Sequence, residues 1–92
     1  MTFKPSATYQ RNLRNILDYY TSVDPKLGKR ILDHLDRMKT HLTGFPEACP
    51  LTSAPPVRKF LLPKFPIRIR YVYENDTIFL ISAEHTKQDK PL

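Results

Sequence analysis

Residues 65–83 read FPIRIRYVYENDTIFLISA, and the reading of this stretch decides the fold. From Ile67 to Tyr73 apolar side chains alternate with basic or exposed-type ones at a period of two, the pattern of a strand with one buried face. Glu74-Asn75-Asp76-Thr77 is turn chemistry, and Ile78 to Ala83 is a second apolar β run. Two strands around so short a polar turn make an antiparallel hairpin. With Asn75-Asp76 as a two-residue turn, Glu74 faces Thr77, and counting predicts Val72 opposite Phe79, Arg70 opposite Ile81, Arg68 opposite Ala83 and Pro66 opposite His85. Residues directly opposite share a face. Arg68, Arg70 and His85 are therefore expected on one side, and Ile67, Ile69, Tyr71, Tyr73, Ile78 and Leu80 on the other. The second set is the more apolar and is assigned to the core, which leaves a cationic open face. On the same count Glu84 points toward the core side, away from Arg68 and His85. A three-residue turn would slip the register and exchange the faces of one strand.

Upstream, Val57 to Leu62 reads as a further strand, interrupted by Pro63-Lys64-Phe65-Pro66. Residues 43–56 carry Gly44, Pro46, Pro50, Pro55 and Pro56, the composition of a connector. Before it the period changes to that of helices. Leu27, Ile31, Leu35, Met38 and Leu42 form one apolar stripe, opened by Asp24-Pro25 as cap and first helical residue and stopped by Gly44. Tyr9, Leu13, Ile16, Leu17 and Tyr20 form another, which predicts a helix from Ala7 to Tyr20 capped by Ser6 and broken by Thr21-Ser22-Val23. Neither stripe can be buried alone, so the helices are expected to fold back as an antiparallel hairpin. Residues 2–4 fit a short strand stopped by Pro5. The expected fold is α+β, a helical hairpin packed on an antiparallel sheet in the order β-α-α-β-β-β, as one domain over residues 1–92.

The chain has 92 residues with 15 Lys and Arg against 9 Asp and Glu, a net charge of +6. That balance favours an anionic partner: nucleic acid, a nucleoprotein or an acidic polypeptide. Cys49 is the single cysteine, so an internal disulfide is excluded and a reducing compartment is the simpler expectation. No His or Asp stands at a spacing that would activate its thiol. No apolar run suggests a signal peptide or a membrane span, and the expected location is the cytoplasm. His34 and His41 lie two helical turns apart, too far to share a metal, and no Cys/His cluster suggests zinc. Two glycines cannot build a phosphate-cradling loop. No cofactor and no metal are expected.

The ordered set Val57-Arg58-Lys59-Phe60-Leu61-Leu62, Phe65-Pro66-Ile67-Arg68-Ile69-Arg70-Tyr71, Ile78-Phe79-Leu80-Ile81 and Ala83-Glu84-His85, followed by Lys87, Lys90 and Pro91, resembles the RelE/ParE toxin superfamily. With the helical hairpin and the Pro-containing loop, the resemblance covers nearly the whole chain. It implies the toxin of a bacterial type II toxin–antitoxin pair, of the kind that stabilises plasmids and inhibits growth. The implied partner is a cognate antitoxin whose acidic segment folds on binding. The superfamily divides. ParE-like members resemble poisons of DNA gyrase without chemistry of their own, and RelE-like members resemble ribosome-dependent mRNA endonucleases. Metal-free RNA cleavage needs a base, an acid and cations around the phosphorane. The resemblance carries such roles to Arg68, which matches an arginine of several nuclease members, and to His85, which lies close to a histidine of some. Glu84 is a candidate base only if it faces them.

Arg58, Lys59, Arg68, Arg70, His85 and Lys87 are the expected contacts to a partner or target. Each also has a structural reading. Arg58 could pair with a helix carboxylate or cap the loop, Arg68 and Arg70 could be solvated strand residues that discourage edge aggregation, and His85 could be satisfied by backbone. This chain lacks a counterpart of the clustered lysines of one nuclease branch and ends Lys90-Pro91-Leu92, without the terminal aromatic of others. The pattern favours the ParE-like branch. A plain nucleic-acid-binding module is the reading outside the superfamily; against it, Phe79 is the only ring expected on the open face.

Overall fold

Asp24 serves both helices, and its double role sets the hairpin. In the computed structural model, which describes residues 1–86, helix α1 spans Ala7–Val23 and helix α2 spans Pro25–Gly44. The Asp24 backbone N–H donates to the Tyr20 carbonyl and closes α1, while its carboxylate accepts from the Lys26 N–H at 3.0 Å and opens α2. Thr21-Ser22-Val23 is thus helical and does not break α1. Extending an existing helix by one turn costs little beside nucleating it, and the weak helix formers are carried along. Gly28 of α2 is buried at the close approach of the helices, where a Cβ would run into the Thr21 side chain.

The strands are β1 (Thr2–Pro5), β2 (Arg58–Leu61), β3 (Ile67–Glu74) and β4 (Thr77–His85), arranged β1-β4-β3-β2. β2, β3 and β4 form the expected antiparallel meander. β1 pairs parallel to β4, with Phe3 against Ile78, so the sheet is mixed and not wholly antiparallel. The β3–β4 turn is the two-residue one the sequence implies: Asn75 and Asp76 have φ of 51° and 56°. Two positive φ values give the twist that suits a tight hairpin, and Asn and Asp tolerate them.

One face of the sheet lies under the hairpin. Ile31, Met38 and Leu42 of α2 are fully buried with Ile69, Tyr71 and Ile78 of the sheet, and Leu35, Ile67, Leu80 and Ala83 complete the layer. Tyr9 and Ile16 supply the buried part of the α1 stripe, with Leu13, Leu17 and Tyr20 packed at its margin. The apolar face assigned from alternation is the buried one, except that Tyr73 sits at the edge. No helix among the described residues is long and apolar enough to cross a membrane.

Candidate functional site

The open face of the sheet is set by one extra residue. Pairing follows the count from the turn as far as Val72 with Phe79 and continues to Tyr71 with Leu80. Arg70 then pairs with Ser82, leaving Ile81 as a bulge. Beyond it Arg68 faces Glu84 and Ile67 faces His85. The expected pairs Arg70–Ile81, Arg68–Ala83 and Pro66–His85 are therefore displaced by one. The physical reason is burial. An unbroken alternation would turn Ser82 and Glu84 into the apolar layer, whereas the bulge turns Ala83 inward and Glu84 outward. Helix α1 holds the bulge in place. The Ser6 hydroxyl, which caps α1 by accepting from the Tyr9 N–H, donates to the Ile81 carbonyl at 2.7 Å. Asn12 accepts the Ala83 N–H at 3.2 Å.

The consequence for the predicted site residues is an exchange. Glu84 joins Arg68 and Arg70 on the open face, and His85 leaves them. The Glu84 Oε1 accepts from Arg68 Nε at 3.0 Å and Arg70 Nε at 2.9 Å, with Arg68 Nη2 at 2.8 Å. Charge-assisted donors converging on one oxygen fix all three side chains, each about a third exposed or less. Lys59 lies beside this cluster, paired in register with Arg70, and Leu61 with Arg68.

His85 lies on the helix side. Its Nε2 is 2.8 Å from the Tyr20 hydroxyl, and its Nδ1 is buried without a hydrogen-bond partner. Tyr20 meets Phe65 edge-on at 5.5 Å, so His85, Tyr20 and Phe65 form one aromatic corner under the end of β3. Arg58 also points to the helix side. It donates to the carbonyls of Glu47 and Cys49 at 3.1 and 2.7 Å and stands 3.7 Å from the Glu47 carboxylate, which makes it a clasp for the proline-rich connector. Tyr71 adds a second clasp, donating to the Pro46 carbonyl at 3.0 Å, and burial beside Cys49 pushes its phenol pKa up. Cys49 is a half-buried loop thiol. Lys87, Lys90 and Pro91 lie outside the described residues. No group of three metal-ligating side chains occurs among the described residues.

Tyr20, Asn12 and Ser6 were not singled out for these roles from sequence. Tyr20 stands in an apolar stripe, and its polar partner is 65 residues away. The one local signal is Ser82, a polar residue that alternation continued past Leu80 would turn into the core.

No family model and no curated protein sequence matches this chain. Two solved structures share its architecture. A chain of the chromosomal ParDE TA system from P. aeruginosa aligns with a TM-score of 0.76 at 17% identity, over 92% of this chain and 95% of that one. A chain of the intact E. coli RelBE toxin-antitoxin complex aligns with a TM-score of 0.66 at 20% identity, over 89% and 92%. At these identities the likeness is one of fold.

Proposed function

We propose that the chain is the toxin of a type II toxin–antitoxin pair, acting in the cytoplasm as a ParE-like gyrase poison without hydrolytic chemistry. The observation that carries this reading is the exchange across the bulge. The two groups expected to serve as cation and acid are separated by the sheet: Arg68 is bonded to Glu84 on one side, and His85 to Tyr20 on the other. A cation and a general acid must reach the same scissile phosphate from hydrogen-bond range, and Arg68 and His85 cannot. The fold, the +6 charge and the part-apolar, part-cationic open face support an acidic antitoxin segment that folds on binding.

One observation favours a second reading. The bulge sets a carboxylate against two guanidiniums, a base beside cations for a phosphorane. On that reading the chain is a ribosome-dependent mRNA endonuclease with Glu84 and Arg68 as its catalytic pair and His85 as a structural residue. Induction in a bacterial host of the wild type, Arg68→Ala, His85→Ala and Glu84→Gln separates the two. Gyrase poisoning gives growth arrest, filamentation and DNA-damage signalling with intact transcripts. Cutting of transcripts at translated codons, relieved by Glu84→Gln, would replace it with the nuclease. Normal growth in the presence of soluble folded protein would remove the toxin reading itself.

A further inference from the structure

Between α2 and the turn that joins β2 to β3, a second cationic site is built from residues other than those of the sheet's open face. A cavity of about 500 Å³ lies between α2 and the Pro63–Pro66 turn. Its α2 wall carries Arg30, His34 and Arg37, and its turn wall carries Lys64 and Phe65. Arg30 and Arg37, seven residues apart on one helix face, are separated by about 10 Å along the axis. Asp33 is the one carboxylate in the lining. Among the described residues Arg30, Arg37 and Lys64 form no ion pair, whereas Arg68 and Arg70 share the Glu84 carboxylate.

Two features make this more than a solvated helix face. The first is Lys64, held at φ 67°. That left-handed conformation is costly for a residue with a Cβ and is ordinarily left to Gly, Asn or Asp. Lysine there places a cation in the cavity lining where glycine would relax the turn. The second is aromatic. Phe65 and His34 meet edge-on at 5.8 Å in the cavity wall, so rings stand among the cations. Cations that track a backbone beside rings that take bases are the elements of a single-strand platform.

We infer that this groove binds the phosphodiester backbone of a single-stranded nucleic acid. An acidic helical peptide is the competing occupant, and the lining argues against it. Such a helix needs apolar anchors at successive turns, but only Leu27 and Phe65 of the seven lining residues are apolar and five are ionisable. The groove along α1, about 340 Å³ and lined by Leu13 and Leu17 with Gln10, Arg14 and Asp18, has the balance a peptide anchor seeks. The inference goes beyond the toxin reading and stands whether the target is gyrase or ribosome.

The test is anisotropy of fluorescein-labelled oligothymidylate and oligouridylate with the full chain across a salt series. Arg30→Ala, Arg37→Ala and Lys64→Gly each weaken binding roughly fivefold or more and lower the salt slope by about 0.7 per cation removed. Lys29→Ala and Lys39→Ala, equal in charge but outside the lining, leave binding within about twofold. Lys64→Gly relaxes the turn, so its melting temperature holds or rises and its loss of binding is not unfolding. Equal losses for groove and control variants would reduce the effect to bulk charge and overturn the site. Groove-dependent binding of polyglutamate in preference to the oligonucleotides would assign it to a protein segment instead. Displacement by inorganic phosphate at matched phosphate concentration would make it a free-anion site.

Discussion

His85 has one satisfied ring nitrogen, and that nitrogen depends on a single hydroxyl. Tyr20→Phe keeps the ring, its contact with Phe65 and the apolar stripe of α1, and removes the oxygen 2.8 Å from His85 Nε2. Both imidazole nitrogens are then without a partner, since Nδ1 has none already. The expected cost is about 1 kcal/mol, read from urea unfolding. The double variant Tyr20→Phe with His85→Leu removes donor and acceptor together and is expected to recover most of that loss, because two apolar groups leave nothing polar unsatisfied. Equal stability of Tyr20→Phe and wild type would mean that the bond contributes nothing in water. Each outcome bears on function, since a histidine committed to a structural bond is a poor candidate for proton transfer.

The element that matters most is the bulge at Ile81, and Ser6 is its anchor. Ser6 accepts at the start of α1 and donates to Ile81, so Ser6→Ala loses a cap and a bond, with an expected cost of about 2 kcal/mol in denaturant. Ser6→Asp distinguishes the two roles. A carboxylate is a good cap, but it cannot donate to a carbonyl, so it should rescue only part of the loss; full rescue would show that the Ile81 bond is idle. This element also marks where the sequence stops being legible. Alternation, caps and turn chemistry are local properties, and they gave both helices, the α+β order, the Asn75-Asp76 turn and the buried face. The register after Leu80 is not local. Its deciding partners are Ser6 and Asn12, more than 70 residues earlier. Counting past an unrecognised bulge put His85 with the arginines and Glu84 against the core, the reverse of the structure. Ser82, a polar residue that unbroken alternation would turn inward, is the local mark of the bulge.

For the molecule as a whole, two buried phenols set an alkaline limit. Burial pushes the Tyr9 pKa up to about 12 and raises that of Tyr71 as well, against about 10 in an unfolded chain. Below pH ~10 both states keep these protons, and the phenols make no pH-dependent difference. Above it the unfolded chain releases protons that the folded one retains, so stability falls as pH rises through the window from about 10 to about 12. Tyr9→Phe should flatten that decline in urea midpoints; an unchanged slope would mean that Tyr9 titrates alike in both states.

The parallel pairing of Thr2 with Thr77 and Phe3 with Ile78 has a consequence of another kind. Ribosomes add roughly 5 to 20 residues per second, so β1 waits several seconds for the strand that completes its ladder. Through that interval the helical hairpin exists without the sheet that covers its apolar stripe. The nascent chain is then sticky, and its first encounter is timed by synthesis rather than by affinity.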